Sequence, residues 1–305
     1  MSKICFFCKS VKTVKNGHKF GKQQYLCRSC GRQFVNTRRL DDEKLKTEYI
    51  DGKQTLVQLS DKYNKSVRTI WNHLSNMRHI HVISPSKDVV ILMDTTYWGR
   101  NFGLLIIKDA FRNKVLWYKF VRNETVFDYR EGVTWLEEHG FKIYGIVCDG
   151  MRGLFQAFYR YPVQMCQFHM EMIVRRRLTL NPDLLASKEL LALTKQLSIL
   201  TGKEFRLRLN QWHDRWQTFI SERSSDTKTG KSSYTHKQVR SAYLSLRYYM
   251  PYLWTYEKYP QFMIPKTNAG IESLNGRLKT MLRVHSGISK FRRMKLLQEY
   301  IARHY

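Results

Sequence analysis

Three carboxylates in this chain stand where folds concentrate their chemistry. Ile143-Tyr144-Gly145-Ile146-Val147-Cys148 is a short apolar run rich in β-branched and aromatic residues, and it stops at Asp149-Gly150. The pattern predicts a strand buried on both faces, closed by an acid and by a glycine that permits a sharp turn. Val89-Val90-Ile91-Leu92-Met93-Asp94 repeats it, an apolar strand ending in an acid. Ligands of open α/β sheets gather at the carboxyl ends of strands, although a solvated turn aspartate at 149 would look the same in its own segment. The third acid, Glu272, falls in Asn268-Ala269-Gly270-Ile271-Glu272-Ser273-Leu274-Asn275-Gly276-Arg277-Leu278-Lys279, which predicts a basic helix with an acid in its first turns. A lone glutamate there is ordinarily a dipole-favoured surface residue, so its meaning depends on the two aspartates. Together the three can hold one or two Mg²⁺ ions by hard oxygen ligands. Two such ions about 4 Å apart activate a water or a 3′-hydroxyl and stabilise the leaving oxygen of a phosphodiester. Asp109 is the rival acid, but the turn-like setting of 109–113 makes it the poorer choice.

The second constellation is made of sulfur. Cys5-x2-Cys8 and Cys27-x2-Cys30 lie 18 residues apart, and Gly31 follows the second pair. Each CxxC turn presents two thiolates to one ion, so the spacing predicts a tetrahedral structural zinc site. The first forty residues hold ten Lys/Arg and no Asp or Glu. This small module is expected to touch phosphate and to need its metal to fold. The whole chain carries a net charge of +28 over 305 residues. Such an excess is costly by self-repulsion unless the partner is a polyanion, nucleic acid ahead of an anionic membrane surface. No apolar run approaches the length of a membrane span and no signal peptide opens the chain, so a reducing, cytoplasmic setting is expected.

The elements that must position these groups follow from periodicity. Residues 1–39 read as a zinc ribbon and 40–83 as a helical module. Asp41, Asp42 and Glu43 favour a helix start, and Gly52 ends that helix. Leu56, Leu59, Tyr63, Val67, Ile70, Leu74 and Met77 recur at three- and four-residue steps. The break at Asn64-Lys65-Ser66 suits a tight turn, with Ser66 capping the next helix. Two such helices resemble a helix-turn-helix, as an ordinary helical hairpin also would. The second helix would offer Arg68, Thr69, Asn72 and His73 to a DNA groove. Ser84-Pro85-Ser86 reads as a linker.

From residue 88 the order is three strands, helix, strand, helix, strand, helix, which is that of a ribonuclease H-like α/β sheet. The helix from Thr125 to His139 is expected to turn Phe127, Val133, Trp135 and Leu136 inward. Residues 171–264 read as an all-α insertion with a polar loop at 221–233. Its aromatic stretch from Tyr243 to Tyr259, interleaved with Arg240, Arg247 and Lys258, could stack unpaired bases or simply form core. Arg277, Lys279 and Arg283 follow Glu272 as phosphate-facing residues.

Met93-Asp94-Thr95-Thr96, Cys148-Asp149-Gly150 with Gly153-Leu154, Cys166-Gln167-Phe168-His169 and Asn268-x3-Glu272-Ser273-Leu274-Asn275 together resemble a family. Over residues 88–300 or so, the chain is similar to bacterial insertion-sequence transposases of the DDE type in the Mutator-like superfamily. The zinc ribbon and helix-turn-helix prefix suits the same proteins. The resemblance implies Asp94, Asp149 and Glu272 as the magnesium triad, and Cys166 with His169 as the superfamily's marker. Two ligands do not make a structural zinc site and no further Cys or His lies nearby in sequence, so a structural or DNA-positioning role near the active site is expected of that pair rather than metal binding. It implies DNA partners, the transposon ends and target DNA, a homodimer or higher assembly on DNA, and nucleoid-associated work in a prokaryote. The expected activity is strand cleavage and strand transfer in DNA transposition. A non-catalytic DNA-binding regulator and a structure-specific nuclease are the alternatives.

Overall fold

A computed structural model describes residues 3–19, 21–35, 40–75, 86–225 and 230–305. The chain divides into two compact units, 1–78 and 79–305.

In the first unit, β1 (Thr13–Lys19), β2 (Lys22–Cys27) and β3 (Gln33–Val35) form an antiparallel sheet in that order. Its core is small: Cys5, Tyr25, Cys27 and Phe34, with Phe6 against them. So small an apolar core is a weak offset to the entropy of ordering some thirty residues. Three helices follow, α1 (Asp42–Ile50), α2 (Leu56–Tyr63) and α3 (Val67–Ser75). Asp41 caps α1 by accepting from the N–H groups of Glu43 and Lys44, and a Thr55/Gln58 capping box opens α2. Asn64, at φ 48°, ends α2 in the left-handed conformation, and Ser66 Oγ accepts from the N–H of Thr69 at 3.1 Å. Leu45, Tyr49, Ile50, Leu56, Leu59, Ile70 and Leu74 are buried together, whereas Val67 is 37% exposed. Position 77, at the end of the expected recognition helix, and 84–85 of the expected linker lie outside the described residues, as does the boundary expected at 39.

The second unit is built on a five-stranded mixed sheet: β4 (Asp88–Tyr97), β5 (Gly103–Asp109), β6 (Val115–Val121), β7 (Lys142–Cys148) and β8 (Val163–Met165). The spatial order is β6-β5-β4-β7-β8; β4, β5 and β6 are antiparallel neighbours, while β7 and β8 run parallel to β4. With α4 (Val126–Glu138) crossing from β6 to β7 and α5 (Leu154–Ala157) from β7 to β8, the topology is consistent with a ribonuclease H-like fold. Two local expectations change. Phe127 is 72% exposed, because the face of α4 against the sheet runs through Tyr129, Val133 and Leu136, at steps of four and three. β7 is buried only from Gly145 onward; Tyr144 lies at the rim, where its hydroxyl donates to Asp88 at 3.2 Å.

After β8 come α6 (Gln167–Leu178), α7 (Leu185–Thr194), α8 (Gly202–Ser221), α9 (Lys237–Tyr249) and the short α10 (Thr255–Lys258). The insertion is not all helical. An antiparallel hairpin, β9 (Arg223–Ser225) with β10 (Ser232–Tyr234), occupies the stretch expected to be loop. Arg223 sits opposite Tyr234 and its guanidinium lies 4.7 Å from the ring centre, with Arg240 at 4.0 Å; such cation–π contacts favour ordering a polar ribbon. Within the aromatic stretch Tyr243, Tyr249 and Trp254 are core, while Tyr248 is exposed. The chain closes with α11 (Ala269–Val284) and α12 (Lys290–His304). Among the described residues no helix is long and apolar enough to cross a membrane.

Candidate active site

Asp94 does not end its strand. β4 continues through Tyr97 because its antiparallel pairing with β5 runs to Tyr97↔Gly103. Its parallel pairing with β7, however, stops at Leu92↔Val147. Asp94 and Asp149 therefore lie two residues beyond the last paired rung on adjacent strands, where β4 has lost its neighbour on that side. Asp149 leaves the strand as its carboxylate accepts from the N–H of Met151 at 3.0 Å.

Helix α11 reaches the same place from far along the chain. Asn268, fully buried, donates through Nδ2 to the carbonyl of Met93 at 3.0 Å. Asn275 donates through Nδ2 to Asp94 Oδ2 at 2.8 Å. Lys108, 4% exposed on β5, donates to the carbonyl of Gly270 at 3.0 Å. A side chain at 270 would meet Leu92 Cδ1 at 3.3 Å and Lys108 Nζ at 3.4 Å, so the helix start lies flush against the sheet and glycine suits that contact. Glu272, one turn before Asn275, is carried to Asp94 by this docking.

The electrostatics register the convergence. Burial first, then the charge of Asp149, pushes the Asp94 carboxyl from its ordinary 3.8 up to about 8. The N–H of Thr95 pulls the other way, and Glu124 and Glu272 add to the rise. Burial also raises Glu272, with His169 opposing it. Among the described residues no Lys or Arg makes an ion pair with Asp94, Asp149 or Glu272; the neighbour of Glu272 is His169, Nδ1 to Oε1 3.9 Å. Acids without a Lys or Arg partner could attract a cation, but among the described residues the carboxylates of Asp94, Asp149 and Glu272 do not form a set whose oxygens all lie within 4.8 Å of one another.

Glu124 had no signal in the sequence, where it is one acid in a polar turn. It stands just before α4, accepts from the Tyr129 hydroxyl at 3.0 Å, and is raised by burial and by Asp149. Tyr129 in turn lies 3.0 Å from the Thr95 hydroxyl, next to Asp94. Asn268, Asn275 and Lys108 were equally silent as to role, since their work is to dock a helix that only the fold brings near. Asp109 is elsewhere on the sheet: it pairs with Ile91, three residues before Asp94 on β4. It is fully buried, accepts from the N–H groups of Phe111 and Arg112, and is bridged by the Arg112 guanidinium at 3.0 Å.

Cys166 and His169 flank the acids. Cys166, at the start of α6, is fully buried; its sulfur accepts from the N–H of Asn268 at 3.3 Å and lies 4.0 Å from Glu272 Oε1. Burial pushes its thiol up to about 11. Arg277 and Lys279 are both exposed, but they do not share a face. Lys279 lies seven residues past Glu272 and within about 20° of it around the helix, whereas Arg277 is about 140° away. Arg277 donates to Ser273 at 3.1 Å and lies over the Tyr305 ring.

In the first unit, Cys5, Cys8, Cys27 and Cys30 present their sulfurs within 4.8 Å of one another. Cys5 to Cys30 is 3.7 Å and Cys8 to Cys27 is 3.5 Å. A tetrahedral ion with bonds of about 2.3 Å requires sulfur–sulfur edges of about 3.8 Å. Sulfurs this close share protons unequally. At Cys27 burial raises the thiol, but the N–H groups of Cys30 and Ser29 and the neighbouring sulfurs outweigh it and hold the group at about 6. At Cys8 the N–H of Ser10 is overcome by desolvation and by the other three sulfurs, and the thiol rises to about 12. The cluster could hold structural zinc. On α3, Arg68 and Asn72 are exposed and Thr69 half-buried. His73 is committed differently, its Nδ1 lying 2.7 Å from Asp42 on α1.

No family model and no curated protein sequence matches the chain. Among solved structures it is similar to the Drosophila P element transposase strand transfer complex, at 12% identity over 90% of this chain and 94% of that one, TM-score 0.38. It is also similar to a chain of the simian T-cell lymphotropic virus intasome in complex with PP2A regulatory subunit B56 gamma. There the identity is 12% over 64% of this chain and 74% of that one, TM-score 0.22.

Proposed function

We propose that the chain is a transposase of the DDE type: its first unit binds the ends of a DNA element, and its second cuts and joins DNA strands with Mg²⁺. The observation that carries this is the set of acids from separate elements around Asp94, lacking any Lys or Arg partner among the described residues. Asp94, Asp149 and Glu272 are hard oxygen donors and would hold the metal, which when bound supplies an activated nucleophile and charge stabilisation at the leaving oxygen. Asn275 fixes Asp94 through Oδ2. Asn268 and Lys108 hold the helix that delivers Glu272. Tyr129 orients Glu124, a fourth carboxylate at the edge of the set. Lys279 extends the face of Glu272 with positive charge for the phosphate backbone. The cysteine module, with its acid-free basic sequence, contacts phosphates when zinc holds it folded, and Arg68, Thr69 and Asn72 read base edges from α3.

The test is nicking of a labelled element end in Mg²⁺. Asp94→Asn, Asp149→Asn and Glu272→Gln should each abolish cleavage and leave end binding nearly intact. Asp109→Asn should still cut, because an asparagine carbonyl can keep the N–H bonds of Phe111 and Arg112. Cutting by any triad variant removes that residue from the site. A wild-type protein that binds ends and never cuts is a DNA-binding regulator instead, and one that cuts without joining is a nuclease.

A further inference from the structure

We propose that Cys166, His169 and Glu272 form a second zinc site, separate from the four-cysteine cluster and sharing one carboxylate with the acid site. Sγ of Cys166, Nδ1 of His169 and a carboxylate oxygen of Glu272 all lie within 4.8 Å of one another. Two of the three edges are 4.0 Å, from sulfur to Oε1, and 3.9 Å, from Nδ1 to Oε1. A tetrahedral zinc with bonds of about 2.0–2.3 Å needs edges of about 3.3–3.6 Å. The set is thus open by about half an ångström, within reach of a small rotation of the glutamate side chain.

A second observation points to a ligand. His169 Nδ1 is buried and makes no hydrogen bond among the described residues, and it faces the Oε1 atom that Cys166 also faces. Buried polar atoms without partners are rare and need an explanation. At 3.9 Å, nitrogen and oxygen are too far apart for a hydrogen bond and are spaced instead like two ligands of one ion. The sulfur already accepts the N–H of Asn268, an outer contact of the kind that orients a metal-bound thiolate.

Ligand chemistry selects the ion. Thiolate and imidazole favour zinc over magnesium, whereas the carboxylates of Asp94 and Asp149 favour magnesium. Glu272 has two oxygens, and Oε1 is the one turned toward Cys166 and His169. Zinc on Oε1 would leave Oε2 for the acid site, tie α6 to α11, and fix the glutamate's orientation. Three protein ligands leave a fourth position for water or a phosphate oxygen. Binding displaces the Cys166 proton to solvent as the thiolate–zinc bond forms.

The experiment is metal analysis of the full-length protein after equilibration with zinc and removal of excess. Wild type should retain two zinc ions per chain, and Cys166→Ala, His169→Gln and Glu272→Gln one each. Asp94→Asn should retain two. Replacement by Co²⁺ gives a second readout: the wild-type minus His169→Gln difference spectrum should show a thiolate-to-cobalt charge-transfer band and tetrahedral d–d bands. His169 is partly exposed, so His169→Gln is expected to keep the wild-type circular dichroism, and it decides the case if Cys166→Ala misfolds. One zinc per chain in wild type and in folded His169→Gln, with no cobalt difference, would overturn the proposal. Only the consequence for Glu272 in catalysis rests on the transposase reading. Two zinc ions in a protein that never cuts DNA would sink that reading and leave the site standing.

Discussion

Asp94→Asn should stabilise the metal-free protein, and should do so increasingly as the pH rises. The folded state holds the Asp94 carboxyl near 8, against an ordinary value of 3.8. A carboxyl raised in the folded state contributes its full stability below about pH 4, and loses it as the pH climbs through 8. Wild type without metal therefore weakens steadily from pH 4 to 8, while an asparagine, which cannot ionise, removes most of that slope. Each pKa unit corresponds to about 1.4 kcal/mol, so a shift of about four units has a ceiling of about 5–6 kcal/mol. Asp94 is only partly buried by surface exposure, and solvent screening reduces the expected gain at pH 8 to about 2 kcal/mol. The asparagine carbonyl can still accept from Asn275, so the hydrogen bond is no confounding loss. In thermal melts with chelator the variant should exceed wild type by about 4–8 °C at pH 8, and by little or nothing at pH 4. Adding Mg²⁺ should reverse the order, since the ion binds the charged carboxylate and raises only wild type. Parallel pH profiles for the two proteins, or a variant less stable than wild type at pH 8, would show that burial and the neighbouring acids do not raise the Asp94 carboxyl in the folded state.

Chelation of zinc, or Cys27→Ser, should unfold the first unit through about residue 35 and weaken DNA binding; loss of zinc with an unchanged amide spectrum for those residues would refute this. Asn275→Ala removes the bond to Asp94 Oδ2 and should cut the nicking rate at least tenfold with end binding intact, whereas Asn275→Asp, adding a like charge, should be worse. Gly270→Ala puts a methyl 3.3 Å from Leu92 and 3.4 Å from Lys108. It should lower stability by about 1–2 kcal/mol, read as a lower denaturant midpoint at constant slope. Arg68→Ala and Asn72→Ala should each cost about 1–3 kcal/mol of discrimination between element ends and random duplex, and equal losses on both DNAs in a binding titration would remove α3 from base reading.

Local chemistry is what the sequence determined. Four cysteines in two CxxC pairs draw their sulfurs together because two tight turns leave them little choice, and Asn64 bends the chain because asparagine tolerates the left-handed region. Apolar runs at 89–93 and 145–148 read as strands because continuous apolar stretches bury both faces, and the succession of strands and helices along the chain is legible, whereas their spatial order in the sheet is not. Tertiary structure alone decided the rest. Tyr129 rather than Phe127 faces the sheet because packing, not composition, chooses which side of a helix is covered. Strands β9 and β10 pair because cross-strand stacking of Arg223 on Tyr234 favours a ribbon whose residues have weak preferences of their own. Glu124, Asn268 and Asn275 came to the acids through contacts spanning up to 181 residues of sequence, a range over which no local pattern carries information. A hydrogen bond between distant side chains depends on where the fold puts both ends, and the chain records that only as two unrelated letters.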